Sequence, residues 1–167
     1  PIDYPVVSPR EGDPQGFYLN HDFDRNWSFA GCPYLDPRGT ADGRHALVYG
    51  HHLNFDSEMF TYLRNAWRQE KFDTLGDMYW STPDGGTMRL HPAFSLSVDK
   101  SFADIQRFDL TGAAETRTWL ADLSAQASAR ADGCDDLCAH ATRAVTLVTC
   151  TGNFAGGRAR TLTVFVG

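Results

Sequence analysis

Apolar positions along the chain fall into short runs separated by turn residues, a spacing that predicts strands more often than helices. His45-Ala-Leu-Val-Tyr-Gly50 reads as a buried strand stopped by a glycine, and His51 and His52 follow at its C-terminal mouth. Met78-Tyr-Trp-Ser81 and Thr87-Met-Arg-Leu90 flank Pro83-Asp-Gly-Gly86, which predicts a hairpin with a glycine-containing turn. A further strand is expected through Ala93-Phe-Ser-Leu-Ser-Val98, and two more close the chain over 143–149 and 160–166. The first seven residues are also strand-like.

Two stretches carry the other period. Ser57 offers an N-cap to a short helix with Met59, Phe60, Tyr62, Leu63 and Trp67 mainly on one face. Residues 113–130 are alanine-rich and free of glycine and proline, with Trp119, Leu120 and Leu123 as an apolar stripe, so a helix is expected there. The sum is a mixed, mainly antiparallel β fold in one domain, 1–167, without internal repeats or low-complexity linkers.

Composition narrows the function classes. With 15 basic and 21 acidic residues the net charge is -6, and the basic residues are scattered, which argues against a nucleic-acid groove. No apolar run approaches the roughly 20 residues of a membrane helix, and no signal-peptide pattern is present. The abrupt strand-like start predicts a preceding segment, which leaves room for an anchor upstream. Cysteines at 32, 134, 138 and 150 lack zinc-ribbon spacing, so no metal site is expected. For Cys134 and Cys138 two readings stand: a small local disulfide, or two unpaired loop thiols.

Cysteine attacks as thiolate, so a nucleophile needs an exposed position beside a base or cation. Cys150 closes Val145-Thr-Leu-Val-Thr149 and precedes Thr151-Gly-Asn153, which places it at a strand terminus. His51 also follows a strand, and Arg158 and Arg160, two apart, share a face if extended. A buried thiol and solvated loop charges are the competing readings of the same residues. Asp22, Asp24 and Asp36 lack a calcium-loop pattern and read as surface or turn carboxylates.

Thr146-Leu-Val-Thr-Cys150, an arginine eight or ten residues later heading a final strand, and Tyr49-Gly-His51 together resemble the sortases. Ile2-Asp-Tyr-Pro-Val-Val7, Phe17-Tyr-Leu-Asn-His-Asp-Phe23, Gly31-Cys-Pro-Tyr-Leu-Asp36 and Tyr49-Gly-His-His-Leu53 with Met59-Phe60 resemble class B in particular, as does a helix before the cysteine strand. That resemblance implies a closed β-barrel of about eight strands with flanking helices. It also implies an extracytoplasmic, membrane-anchored cysteine transpeptidase facing a Gram-positive cell wall. Cys150 would be the nucleophile, His51 the general acid and base, and an arginine the oxyanion or substrate holder. Arg160-Thr-Leu-Thr-Val164 fits the family's Arg-x-apolar-x-apolar pattern, which favours Arg160, with Arg158 as the alternate.

Leu19, Gln15 and Thr149 would touch the substrate. The partners implied are a sorting-motif peptide cleaved after threonine and an amine of a cell-wall precursor or a pilin lysine, without a cofactor. Val148 and Gly152 depart from the serine and acidic residue of many class B members, which bears on peptide preference. Rival readings are a papain-like cell-wall cysteine peptidase, in which cysteine precedes histidine and opens a helix, and a non-catalytic β-barrel binding module.

Overall fold

The computed structural model describes residues 2–53, 58–151 and 157–167. Ser57 and Gly152, to which the sequence assigns a cap and a peptide preference, lie outside them. The strands are β1 (Tyr34–Leu35), β2 (His45–Tyr49), β3 (Met78–Thr82), β4 (Gly86–Asp99), β5 (Ala129–Arg130), β6 (Ala144–Cys150) and β7 (Ala159–Val166). They pair in the order β1-β2-β6-β7-β4-β3, and β5 adds to β4. Every pairing is antiparallel except that of β2 with β6.

The mainly β architecture is as expected, but the closed eight-stranded barrel is not. Among the described residues six strands form an open path from β1 to β3, and β5 branches from β4 as the seventh. Residues 2–7 contribute one bridge, Val7 to Tyr34, and no strand; Pro5 and Pro9 lack the N–H a ladder needs. The edge strand β3 is instead tied to the loop between β1 and β2 through a carbonyl. Trp80 of β3 donates from Nε1 to Ala41 O at 2.9 Å, and Arg143 donates to the same oxygen.

Alternation gives the sheet two apolar faces. On the inner face of the curl, Ala46, Val48, Val145, Leu147 and Phe165 pack around Phe60, Leu63, Trp80 and Leu90. On the outer face, Leu47, Leu96, Val148, Leu162 and Val164 meet helices α2 (Ala113–Ser124) and α3 (Cys134–His140) through Trp119, Leu120, Leu123, Cys134 and Cys138. Each fully buried leucine contributes about 1.5–3 kcal/mol by leaving water.

Four local expectations are corrected. The helix expected from Ser57 is, over its described part, a 3-10 turn, Thr61–Leu63, followed by the single-turn α1, Gln69–Phe72. Tertiary bonds win there: Phe60 N donates to His51 O at 2.8 Å, and Leu53 N to Thr61 Oγ1 at 2.9 Å. The expected 113–130 helix stops at Ser124, because Ala129 and Arg130 are captured by β4 opposite Ser95 and Phe94. Cys134 and Cys138 are free and buried on α3, neither bridged nor in a loop. The two segments 86–90 and 93–98 form one strand, irregular between Pro92 and Phe94.

Candidate active site

β6 carries Cys150 to the end of the sheet that α2 leaves uncovered. Val148 and Cys150 point to the outer face, whereas Leu147 and Thr149 point inward. Of the four free cysteines three are buried, and Cys150 alone is partly exposed. Burial pushes the Cys32 thiol up to about 11, so it stays protonated at neutral pH. Cys150 pairs directly with Arg160 on β7, and antiparallel partners turn their side chains to the same face.

The two arginines separate by their partners. Exposed Arg158 donates from Nε and Nη2 to the two oxygens of Asp99 at 2.8 and 2.7 Å. Arg158, with help from Ser101, holds the Asp99 carboxyl well below the usual range. Half-buried Arg160 donates from Nη1 to Gly157 O at 2.7 Å and Ala159 O at 3.0 Å. Among the described residues no carboxylate pairs with it.

The histidines arrive on the neighbouring strand. Tyr49 is in parallel register with Val148, and Gly50 N donates to Val148 O at 3.0 Å. Continuing that register by two residues brings His51 alongside Cys150. A Cβ on Gly50 would stand 2.5 Å from the Phe60 ring, so this approach requires glycine. His51 Nε2 lies 2.7 Å from Leu19 O; a carbonyl only accepts, so Nε2 carries a proton and Nδ1 is the nitrogen left for proton exchange. His52 Nε2 faces Arg64 Nη1 at 3.0 Å, and its ring also meets the Cys150 backbone. Burial, then Arg64, lowers the His52 pKa, so this ring stays neutral.

The remaining candidates named from the sequence are dispersed. Leu19 ends a 3-10 turn, Phe17–Leu19, and it reaches the site through its carbonyl. Gln15 is exposed in the turn before it. Thr149 is 3% exposed on the face opposite Cys150, and its hydroxyl has no hydrogen-bond partner among the described residues, so its side chain does not line the outer face. His21, His91 and His140 bond elsewhere, to Phe17 O, Asp77 and Asp136 O.

Beside Arg160 the outer face opens into an apolar cavity of about 60 Å³. Its floor is Leu47, Tyr49, Val148 and Leu162, its wall includes Phe102, Ile105 and Gln106, and Asp99 and Lys100 bring charge to its edge beside Arg160. A wider, polar depression of about 550 Å³ lies near Gln69, Arg130 and Asp135, and none of the candidate residues borders it. Asp36 corrects a further expectation: it is 3% exposed, not at the surface. It accepts from Arg38 Nε, Nη2 and N at 2.9, 2.8 and 3.0 Å and from Tyr49 OH at 3.0 Å. Burial pushes its pKa up, but these donors outweigh it and keep Asp36 ionised. Nothing local in Tyr34-Leu-Asp36 marks that role, which depends on a strand partner and on Gln106, far away in sequence.

A partly exposed strand-end cysteine, an opposed arginine and a histidine on the parallel neighbour define a cysteine-bearing β fold of the sortase type. The solved structures it resembles are, in particular, class B. Clostridium perfringens sortase B matches with TM-score 0.78 and 23% identity, over 98% of this chain and 86% of that one. The Staphylococcus aureus sortase B-substrate complex matches at 0.76 and 21%, over 98% and 72%. Sortase B from Listeria monocytogenes matches at 0.71 and 17%, over 99% and 87%. At these identities the likeness is one of fold. No family model matches the chain, and no curated protein matches it.

Proposed function

We propose that this chain is a cysteine transpeptidase that cleaves a sorting-motif peptide after threonine and transfers the acyl group to an amine. The observation that carries the reading is the direct pairing of Cys150 with Arg160, with His51 brought alongside by the parallel β2–β6 register. The Cys150 thiolate attacks the scissile carbonyl carbon, and its oxygen becomes an oxyanion. Arg160 faces that charge; a preorganised donor of this kind is worth about 3 kcal/mol of barrier. Arg158 is committed to Asp99, which supports Arg160 for this role.

His51 then gives the proton on Nδ1 to the leaving amine as the C–N bond breaks, leaving a thioester on Cys150. The acceptor amine attacks the thioester carbonyl, His51 takes back one proton, and the thiolate departs. No step requires a cofactor. Two solved relatives in fold support the partner classes: one sortase B is described with substrate, and another is complexed with triglycine. The acceptor we propose is an amine of a cell-wall precursor or a pilin lysine, and the location is the outer face of the membrane, held by an anchor. Among the described residues no helix is long and apolar enough to cross a membrane.

A library of threonine-containing sorting peptides, incubated with and without oligoglycine or lysine amines, tests the reading. Amine-dependent ligation products that vanish in Cys150→Ala and His51→Ala are expected. Free acid alone, unaffected by amine, would make the protein a peptidase. Turnover at the parent rate in Cys150→Ala would sink the assignment.

A further inference from the structure

The wall of the cavity is held by a relay that the transfer chemistry does not use, buried at Asp36 and exposed at Arg38. Asp36, a carboxylate at 3% exposure, accepts from both the Tyr49 hydroxyl on the cavity floor and the Arg38 guanidinium. Arg38 then extends Nη1 to Gln106 Oε1 at 2.9 Å and stacks over Phe108 at 4.8 Å. The backbone around Gln106 is fixed on both sides. Asp104 O accepts from Trp119 Nε1 at 2.8 Å, and Arg107 O accepts from His45 Nδ1 at 2.9 Å.

The consequence falls on the amide group of Gln106. Its oxygen is taken by Arg38, so its orientation is set, and among the described residues its Nε2 has no hydrogen-bond partner. Gln106 lines the cavity, so its two N–H donors stand at a rim whose other polar groups are the charged Asp99, Lys100 and Arg160, the rest of the lining being mainly apolar. A preoriented donor beside apolar surface is how a binding groove reads one polar group of a ligand. The matching group is an acceptor, and on a peptide seated in the groove it is a carbonyl oxygen.

We propose that Gln106 is a specificity-determining residue that donates from Nε2 to one carbonyl oxygen of the bound peptide, and that Asp36 and Arg38 are positioning residues that aim it. This inference rests on the transpeptidase reading and deepens it. Gln106 stands on the wall beside Tyr49, whose strand partner Val148 is two residues before Cys150. The carbonyl it reads therefore belongs to a residue near, but not at, the scissile bond.

The test compares the parent with Gln106→Met, which removes donor and acceptor, and Gln106→Glu, which keeps an acceptor for Arg38 but removes the amide donors. Steady-state transpeptidation is measured on the best library peptide, together with thermal midpoints and the rate of Cys150 modification by a methanethiosulfonate. Both variants should raise KM about tenfold with kcat within twofold, unchanged midpoints and unchanged thiol modification. Asp36→Asn should raise KM in the same direction by a smaller factor.

A scan of single thioamide replacements in that peptide adds a readout that fold stability does not move. One position should weaken the parent and not weaken Gln106→Met further. An unchanged KM in both Gln106 variants, or a loss confined to kcat with a falling midpoint, overturns the proposal while leaving the transpeptidase intact. A parent that forms no acyl-enzyme with any peptide instead removes the transpeptidase reading, and the relay's role with it.

Discussion

At the scale of single residues, the two candidate arginines show how identity in sequence hides difference in partners. Arg158 and Arg160 lie two apart, but the first is spent on an exposed bidentate pair with Asp99 and the second on neutral carbonyls beside Cys150. Arg160→Ala is expected to lower kcat by about 10²–10³, as removal of an oxyanion donor does, and Arg158→Ala by no more than a few fold. The reverse order in the same peptide assay would transfer the role to Arg158. His45 makes a second residue-scale statement. It is 3% exposed, bonded to Arg107 O and Thr146 Oγ1, and burial lowers its pKa to about 4.

Because His45 resists protonation when folded, the unfolded chain binds the extra proton between pH 6.5 and about 4. Its contribution, about 3 kcal/mol, is fully present above pH 6.5 and is lost as the pH falls toward 4. Urea unfolding of the parent at pH 7.5 and 4.5 should show that loss, and His45→Gln should flatten it. An equal slope in both proteins would exclude His45 as its source.

At the scale of elements, the strands were legible because their alternation is local, whereas the edges and short helices were not. The β3–β4 hairpin and the two final strands follow from apolar runs and the Gly85-Gly86 turn. α3 was missed although Cys134, Leu137, Cys138 and Ala141 have helical spacing, because the acidic pair between them reads as a loop. β5 has no signal of its own and exists only because β4 offers an unpaired edge. The open edge of the sheet at β3 also depends on a distant contact, the Trp80 indole on Ala41 O. Trp80→Phe should cost about 1–3 kcal/mol through the lost hydrogen bond and packing. Calorimetry should register it as a drop of several degrees; an unchanged midpoint would show that this bridge does not hold that edge.

At the scale of the whole molecule, one face of one sheet does two jobs. α2 and α3 cover its lower part as core, and its upper part stays open as the cavity floor, which includes Tyr49 and lies beside Arg160. The sequence alone told which residue types stand at strand ends, but not which ends are neighbours. The parallel β2–β6 pairing joins residues 99 positions apart, His45 with Ala144 to Tyr49 with Val148, and only that pairing brings His51 to Cys150. The Asp36 relay was illegible for the same reason, since it joins residues from the β1 end to the wall before α2. The central claim, that this gathering makes a thioester, is tested most directly by intact-mass spectrometry of the protein quenched in acid after mixing with a sorting peptide. A mass increase equal to the acyl fragment, located on Cys150 and discharged by added amine, is the predicted result; a protein that consumes peptide with no adduct at Cys150 would contradict it.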